Sequence, residues 1–225
     1  AVSPRGAFSL YVLSTILCLG LVVLTGISLI PLFAIYIGGG IIYSVPPIRI
    51  KSRPMMDVLF VGVFSGIMPF LIGVQTSHQL TLGWLSSWAL RYQDALLVMA
   101  TLFLFQCSTH IFQAVGDYEA DRDAGERTSV VKYGKANSAK TAKILLTASL
   151  LLPLVYGVIR FPIPGYGYWY LAFLLPSLPL ALYFRKQKVV SKEKINDLTA
   201  TAKKASPIIY AALFLLVLLI RVSLQ

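Results

Sequence analysis

Apolar residues fall in long runs along this chain, separated by short polar stretches. Seven runs approach the roughly 20 helical residues that cross a bilayer core: 8–28, 30–45, 57–75, 95–116, 141–159, 166–184 and 207–222. Gly26, Ser28 and Pro31 predict a tight hairpin between the first two, with one long kinked helix as the alternative. Backbone groups in lipid must find partners within their own segment, so the spans are expected to be helices. No run shows the dyad alternation of a membrane barrel. The pattern therefore predicts an all-α, polytopic membrane helix bundle forming one domain over residues 1–225.

Composition supports this reading and removes others. The chain is 57% hydrophobic and only 13% charged, against about 25% charged residues in a soluble domain. Its net charge of +11 does not point to nucleic acid, because the basic residues lie in loops between apolar runs. When loops are assigned alternately to two sides, seventeen of the twenty basic residues share the side of the N-terminus. The positive-inside rule makes that side cytoplasmic, so a multi-pass protein of the cell membrane is expected. Cys18 and Cys107 lie inside apolar runs and read as small packing residues. Gln75–Gln93 and Phe161–Tyr170 read as interfacial aromatic belts on the other side, and Arg185–Lys204 as a solvated, lipid-facing loop.

Two of the cytoplasmic loops carry the candidate chemistry. In Tyr43–Pro54 the prolines are expected to stop the preceding helix and hold the chain extended, so that Arg49, Lys51 and Arg53 project at alternate positions. In Gln113–Thr128, five of the nine acidic residues of the protein follow an uncharged apolar run. Asp117 and Asp121 are four apart, which on a helix sets them on one face about 40° apart. Gln113 precedes them on that face and His110 lies nearby, whereas Glu119 and Asp123 point elsewhere as ordinary surface acids.

Two such carboxylates repel each other unless a cation lies between them. Hard oxygen donors suit Mg²⁺, which is usually held by one or two carboxylates plus substrate phosphates. Arg49, Lys51 and Arg53 could clamp the same phosphates, giving a site for a diphosphate with an apolar tail in the bilayer. The plainer alternative is that the acids cap the inner end of the span and pair with Arg122, Arg127 and Lys132, with His110 as a helix-packing partner. Gly125 is expected to end the helix and Thr128 to serve as a cap or a phosphate-facing hydroxyl.

The pattern Asp117-x-x-x-Asp121-x-x-x-Gly125-x-x-Thr128 resembles the second aspartate motif of the UbiA superfamily of intramembrane prenyltransferases. Tyr43-Ser44-x-Pro46-Pro47-x-Arg49-x-Lys51 resembles that family's segment after its fourth helix, and Val2-Ser3-Pro4-Arg5 the stretch leading into its third. The resemblance implies seven helices of a nine-helix bundle, Mg²⁺ as cofactor, and a prenyl diphosphate and a lipophilic acceptor as substrates. It implies that Asp117 and Asp121, supported by Gln113, hold the metal, and that Tyr43, Arg49, Lys51 and Arg53 meet the diphosphate. The wording Asp117–Gly125 is closer to the menaquinone-type and carotenoid-elongating branches than to the haem-modifying one. Several branches place Asn where this chain has Gln113. The family's first Asp-rich motif and first two helices have no counterpart before Ser3, so the chain is expected to be N-terminally incomplete. A catalytically inactive or partner-dependent membrane protein of the same fold is the alternative.

Overall fold

The computed structural model describes residues 3–79 and 92–160, and every regular element in them is helical. Helix α1 spans Pro4–Thr25, started by the Ser3 side chain accepting from the Gly6 N–H and by proline in the first turn. It stops at Gly26, whose φ of 150° is open only to glycine, and a single 3₁₀ turn leads into α2, Ile30–Ser44. The expected break between the first two apolar runs thus falls at Gly26.

The third run is one unbroken helical rod in three parts: α3, Met56–Val61; a π-helical segment, Gly62–Ile67; and α4, Met68–Gln79. Helix α5, Tyr92–Asp123, continues seven residues beyond the predicted end of its apolar run and carries Asp117 and Asp121 with it. A short α6, Ser129–Tyr133, precedes α7, Lys135–Arg160, which contains the fifth apolar run. Three of these rods, Ile27–Ser44, Met56–Thr76 and Leu96–Asp123, are long and apolar enough to cross a membrane. The runs at 166–184 and 207–222, the Arg185–Lys204 loop, Phe161–Tyr170 and most of Gln75–Gln93 lie outside the described residues.

The core lies where α5 meets α7. Ile111, Phe112, Ala114 and Val115 pack against Ala139, Ala142, Leu146 and Leu150, and Val130 of α6 joins the cluster. Lipid tails are as apolar as leucine, so helices in a bilayer associate through close contact and polar side chains. Small residues supply that contact here: Ser108, Ser138, Ala139, Ala142 and Ser149 are buried, and the Ser108 hydroxyl donates to the Ala142 carbonyl at 2.7 Å.

The π segment meets α5 through glycines. A Cβ on Gly66 would lie 2.9 Å from the Leu102 carbonyl oxygen, and one on Gly62 would lie 2.5 Å from Cys107 Sγ. The Gly66 contact is with backbone, so a side chain there forces the two rods apart. Gly66→Ala is expected to destabilise the protein by about 1–3 kcal/mol. A Cβ on Gly73 would meet nothing within 4 Å, so alanine there should bring no loss or a small gain. Thermal unfolding of the two variants in one detergent checks the contrast.

Candidate functional site

The basic loop does not have the predicted extended form. After the turn at Pro46–Ile48, Arg49 adopts a left-handed conformation with φ 37°, and Ile50–Ser52 forms a 3₁₀ turn. Alternate residues of an extended chain would separate their side chains along a line. The turn instead gathers Arg49, Lys51 and the Ser52 hydroxyl around one carboxylate, that of Glu126. Arg49 pairs with Glu126 Oε1, Lys51 Nζ lies 3.8 Å from the same oxygen, and Ser52 donates to Oε2 at 2.5 Å. Arg53 is exposed and makes no ion pair among the described residues.

Glu126 reaches this loop because of how α5 ends. Gly125, at φ 72°, closes the helix with the predicted glycine stop. The Gly125 N–H donates to the Arg122 carbonyl and the Glu126 N–H to that of Asp121, the paired bonds of a Schellman turn. The reversed chain then delivers Glu126 to the basic loop. The Ser52 hydrogen bond, and after it the charges of Arg49 and Lys51, hold the Glu126 carboxyl below the ordinary glutamate range against the opposing effect of burial. A lowered folded-state pKa means this contact stabilises the protein above the unfolded value and is lost as pH falls through the folded one.

A second tie between the loops is buried. Asp57, 1% exposed, accepts from the Ser129 N–H at 2.8 Å through Oδ2 and from the Ser129 hydroxyl and the Val58 N–H through Oδ1. The Met55 N–H donates to Ser129 Oγ at 2.6 Å. Thr128 caps α6 by accepting from the Val131 N–H, and it lies close enough to Asp121 to act on that carboxyl. Its predicted capping role is thereby joined to the acidic face.

The five acids of Gln113–Thr128 separate into two groups. Glu119 pairs with Lys135 at 2.6 Å and Arg122 at 3.0 Å, Asp123 with Arg122 at 3.3 Å, and Glu126 with the basic loop. Asp117 and Asp121 form no ion pair among the described residues. Pairing with Arg122 thus accounts for Glu119 and Asp123 alone. Asp117 is exposed and Asp121 half-buried, and exposed Gln113 is one turn back. Asp121 lies in the field of Asp117, Glu126 and Lys51. Tyr43 and His110 both lie within electrostatic reach of Asp57 and Asp121, so residues of α2, α3 and α5 converge on one place. Tyr43 stacks on Phe60 at 5.4 Å between ring centres, and Phe60 on Phe64 at 4.0 Å, an aromatic column running from this place along the rods.

Among the described residues no three His, Cys, Asp or Glu side chains form a metal cage. Two carboxylates outside ion pairs on one face fit a different type of site, in which Mg²⁺ keeps waters and takes its other ligands from phosphates. Sequence reasoning missed Asp57, Ser52 and Ser129 and gave Glu126 no role. Asp57 did leave a signal: it is the only acid in the first 93 residues and lies at the edge of an apolar run.

The chain is similar to known proteins. The chain is 33% identical over 124 residues to a homogentisate phytyltransferase of Synechocystis sp., covering 53% of this chain and 37% of that protein. It is 29% identical over 144 residues to a lycopene elongase/hydratase of Halobacterium salinarum, covering 62% of this chain and 46% of that one. It therefore spans less than half the length of these curated relatives. The fold matches the structure of a UbiA homolog from Archaeoglobus fulgidus bound to Cd²⁺, with a TM-score of 0.59 and 17% identity over 94% of this chain and 74% of that one. The UbiA prenyltransferase family model matches residues 1–206, and with its membrane-length helices and paired aspartates this chain is an integral membrane protein that belongs to that family.

Proposed function

We propose that the protein carrying this chain transfers a prenyl group from a prenyl diphosphate to a lipophilic acceptor, with the site at the cytoplasmic face of the cell membrane. The observation that carries this reading is the pair Asp117 and Asp121, left outside ion pairs on a face whose field includes Lys51 of the basic loop. Asp117 and Asp121, with the Gln113 amide beside them, would hold Mg²⁺, which when bound neutralises a diphosphate and stabilises pyrophosphate as it leaves. Arg49, Lys51 and Arg53 bind phosphate oxygens, and the Thr128 hydroxyl orients Asp121. Tyr43 and His110 border the place where the prenyl carbon loses its bond to the diphosphate oxygen and gains one to the electron-rich acceptor, which then releases a proton. Matching relatives are named for homogentisate and for lycopene, so an aromatic quinone precursor and a carotenoid-type chain are both acceptors of the expected class.

Transfer by the full-length protein in proteoliposomes tests the reading. Arg49→Ala and Lys51→Ala are expected to raise KM for the prenyl diphosphate by about tenfold to a hundredfold, the value of a charge-assisted hydrogen bond. An unchanged KM in both removes the loop from the substrate site. The second reading is an inactive or partner-dependent member of the fold, favoured by the lack of a cluster of three His, Cys, Asp or Glu side chains among the described residues. Absence of turnover by the full-length protein alone, with both acceptor classes supplied, would establish it.

A further inference from the structure

The donors assigned to the substrate already hold an anion. Arg49 and Lys51 engage one oxygen of Glu126 and Ser52 engages the other, so the carboxylate is held at both ends. Two oxygens met by a guanidinium, an ammonium and a hydroxyl is also how a phosphate group is met.

We propose that Glu126 is an internal substitute for the substrate's phosphate, occupying these donors until the diphosphate displaces it and thereby setting the affinity for substrate. The proposal rests on the reading of the basic loop as the diphosphate site and adds its regulation.

A simple clasp between loops does not explain the contact as well. The loops are already tied by the buried Asp57–Ser129–Met55 bonds, which do not involve Glu126. The cations facing Glu126 are 41% and 39% exposed while the Glu126 side chain is 14% exposed, and an ion pair whose cations are so open to water adds little stability. Glu126 is also carried on a turn, one residue past Gly125. It can leave the cations while α5 and the buried tie stay in place. A site that is free only part of the time binds its ligand with an affinity reduced by that fraction. The negative charge also repels an arriving diphosphate until it moves away.

Binding of inorganic pyrophosphate with Mg²⁺ to the full-length protein in nanodiscs tests this by calorimetry. Glu126→Gln keeps the shape and removes the charge, and is expected to lower Kd for pyrophosphate about fivefold. Unchanged or weaker binding in Glu126→Gln, with wild-type binding that Arg49→Ala abolishes, overturns the proposal and leaves the diphosphate site standing. Wild-type binding that Arg49→Ala does not affect overturns the site itself and the proposal with it. Hydrogen exchange on the wild-type protein gives a reading that needs no variant. Pyrophosphate should protect residues 49–53 while residues 126–127, where the Glu126 side chain has been displaced, gain no protection; protection of both segments overturns the proposal.

Discussion

Asp117→Ala and Asp121→Ala are each expected to lower kcat of prenyl transfer by at least about a hundredfold, the usual loss when one stabiliser of developing negative charge is removed. The expectation follows from how α5 disposes of its charges. Neither Asp117 nor Asp121 makes an ion pair among the described residues, so their replacement breaks none there. Repulsion between them also falls, and thermal stability should be unchanged or slightly higher. Glu119→Ala is the matched control. It lies on the same helix between the two aspartates but is committed to Lys135 and Arg122. An exposed pair of that kind contributes about 0–1 kcal/mol, so activity should fall less than about twofold. Radiolabelled transfer assays with melting curves separate the cases. Full turnover in either aspartate variant would remove that residue from the site.

Asp57→Ala should produce the largest loss of stability. The carboxylate is almost wholly buried and accepts from two groups of Ser129 and from the Val58 N–H. Alanine would leave the Ser129 N–H buried without its acceptor and free the Ser129 hydroxyl from one of its two bonds. The cost is expected to be about 3 kcal/mol, or about 6–12 °C in Tm for a protein of this size. Ser129→Ala keeps the Asp57 bond to the backbone N–H and should cost about 1 kcal/mol. Asp57→Asn is instructive as well. Its amide nitrogen is a donor and would face either the Ser129 N–H or the Ser129 hydroxyl, which already accepts from Met55. A Tm for Asp57→Ala within about 2 °C of wild type, well short of that shift, would show that the two loops are held by other contacts.

The rods, the helical stop at Gly125 and the shared face of Asp117 and Asp121 were legible in the sequence because each depends on local spacing. Apolar run length gives the span, a 3.6-residue period gives the face, and glycine is the residue that most readily takes the left-handed φ at the helix end. The loop contacts were not legible. Glu126 lies 77 residues from Arg49 in sequence, and Asp57 lies 72 from Ser129. No local pattern sets which acid meets which cation across such a separation. The extended form expected for residues 43–54 failed for a related reason. Proline restricts its own φ and the residue before it, but Arg49 lies beyond that influence and turns left-handed to meet its partner.

The segment between α5 and α6 has a further consequence, for length rather than chemistry. Gly125 stops one helix, Glu126 meets the basic loop, Thr128 starts the next helix, and Ser129 meets Asp57. These assignments fall on almost every residue of a very short stretch. Inserting or deleting one residue there would move Glu126 and Ser129 out of register with both partners at once. Loops elsewhere on a membrane protein can drift in length between relatives; this one is held to a fixed count, and an alignment that places a gap inside it has misplaced the gap.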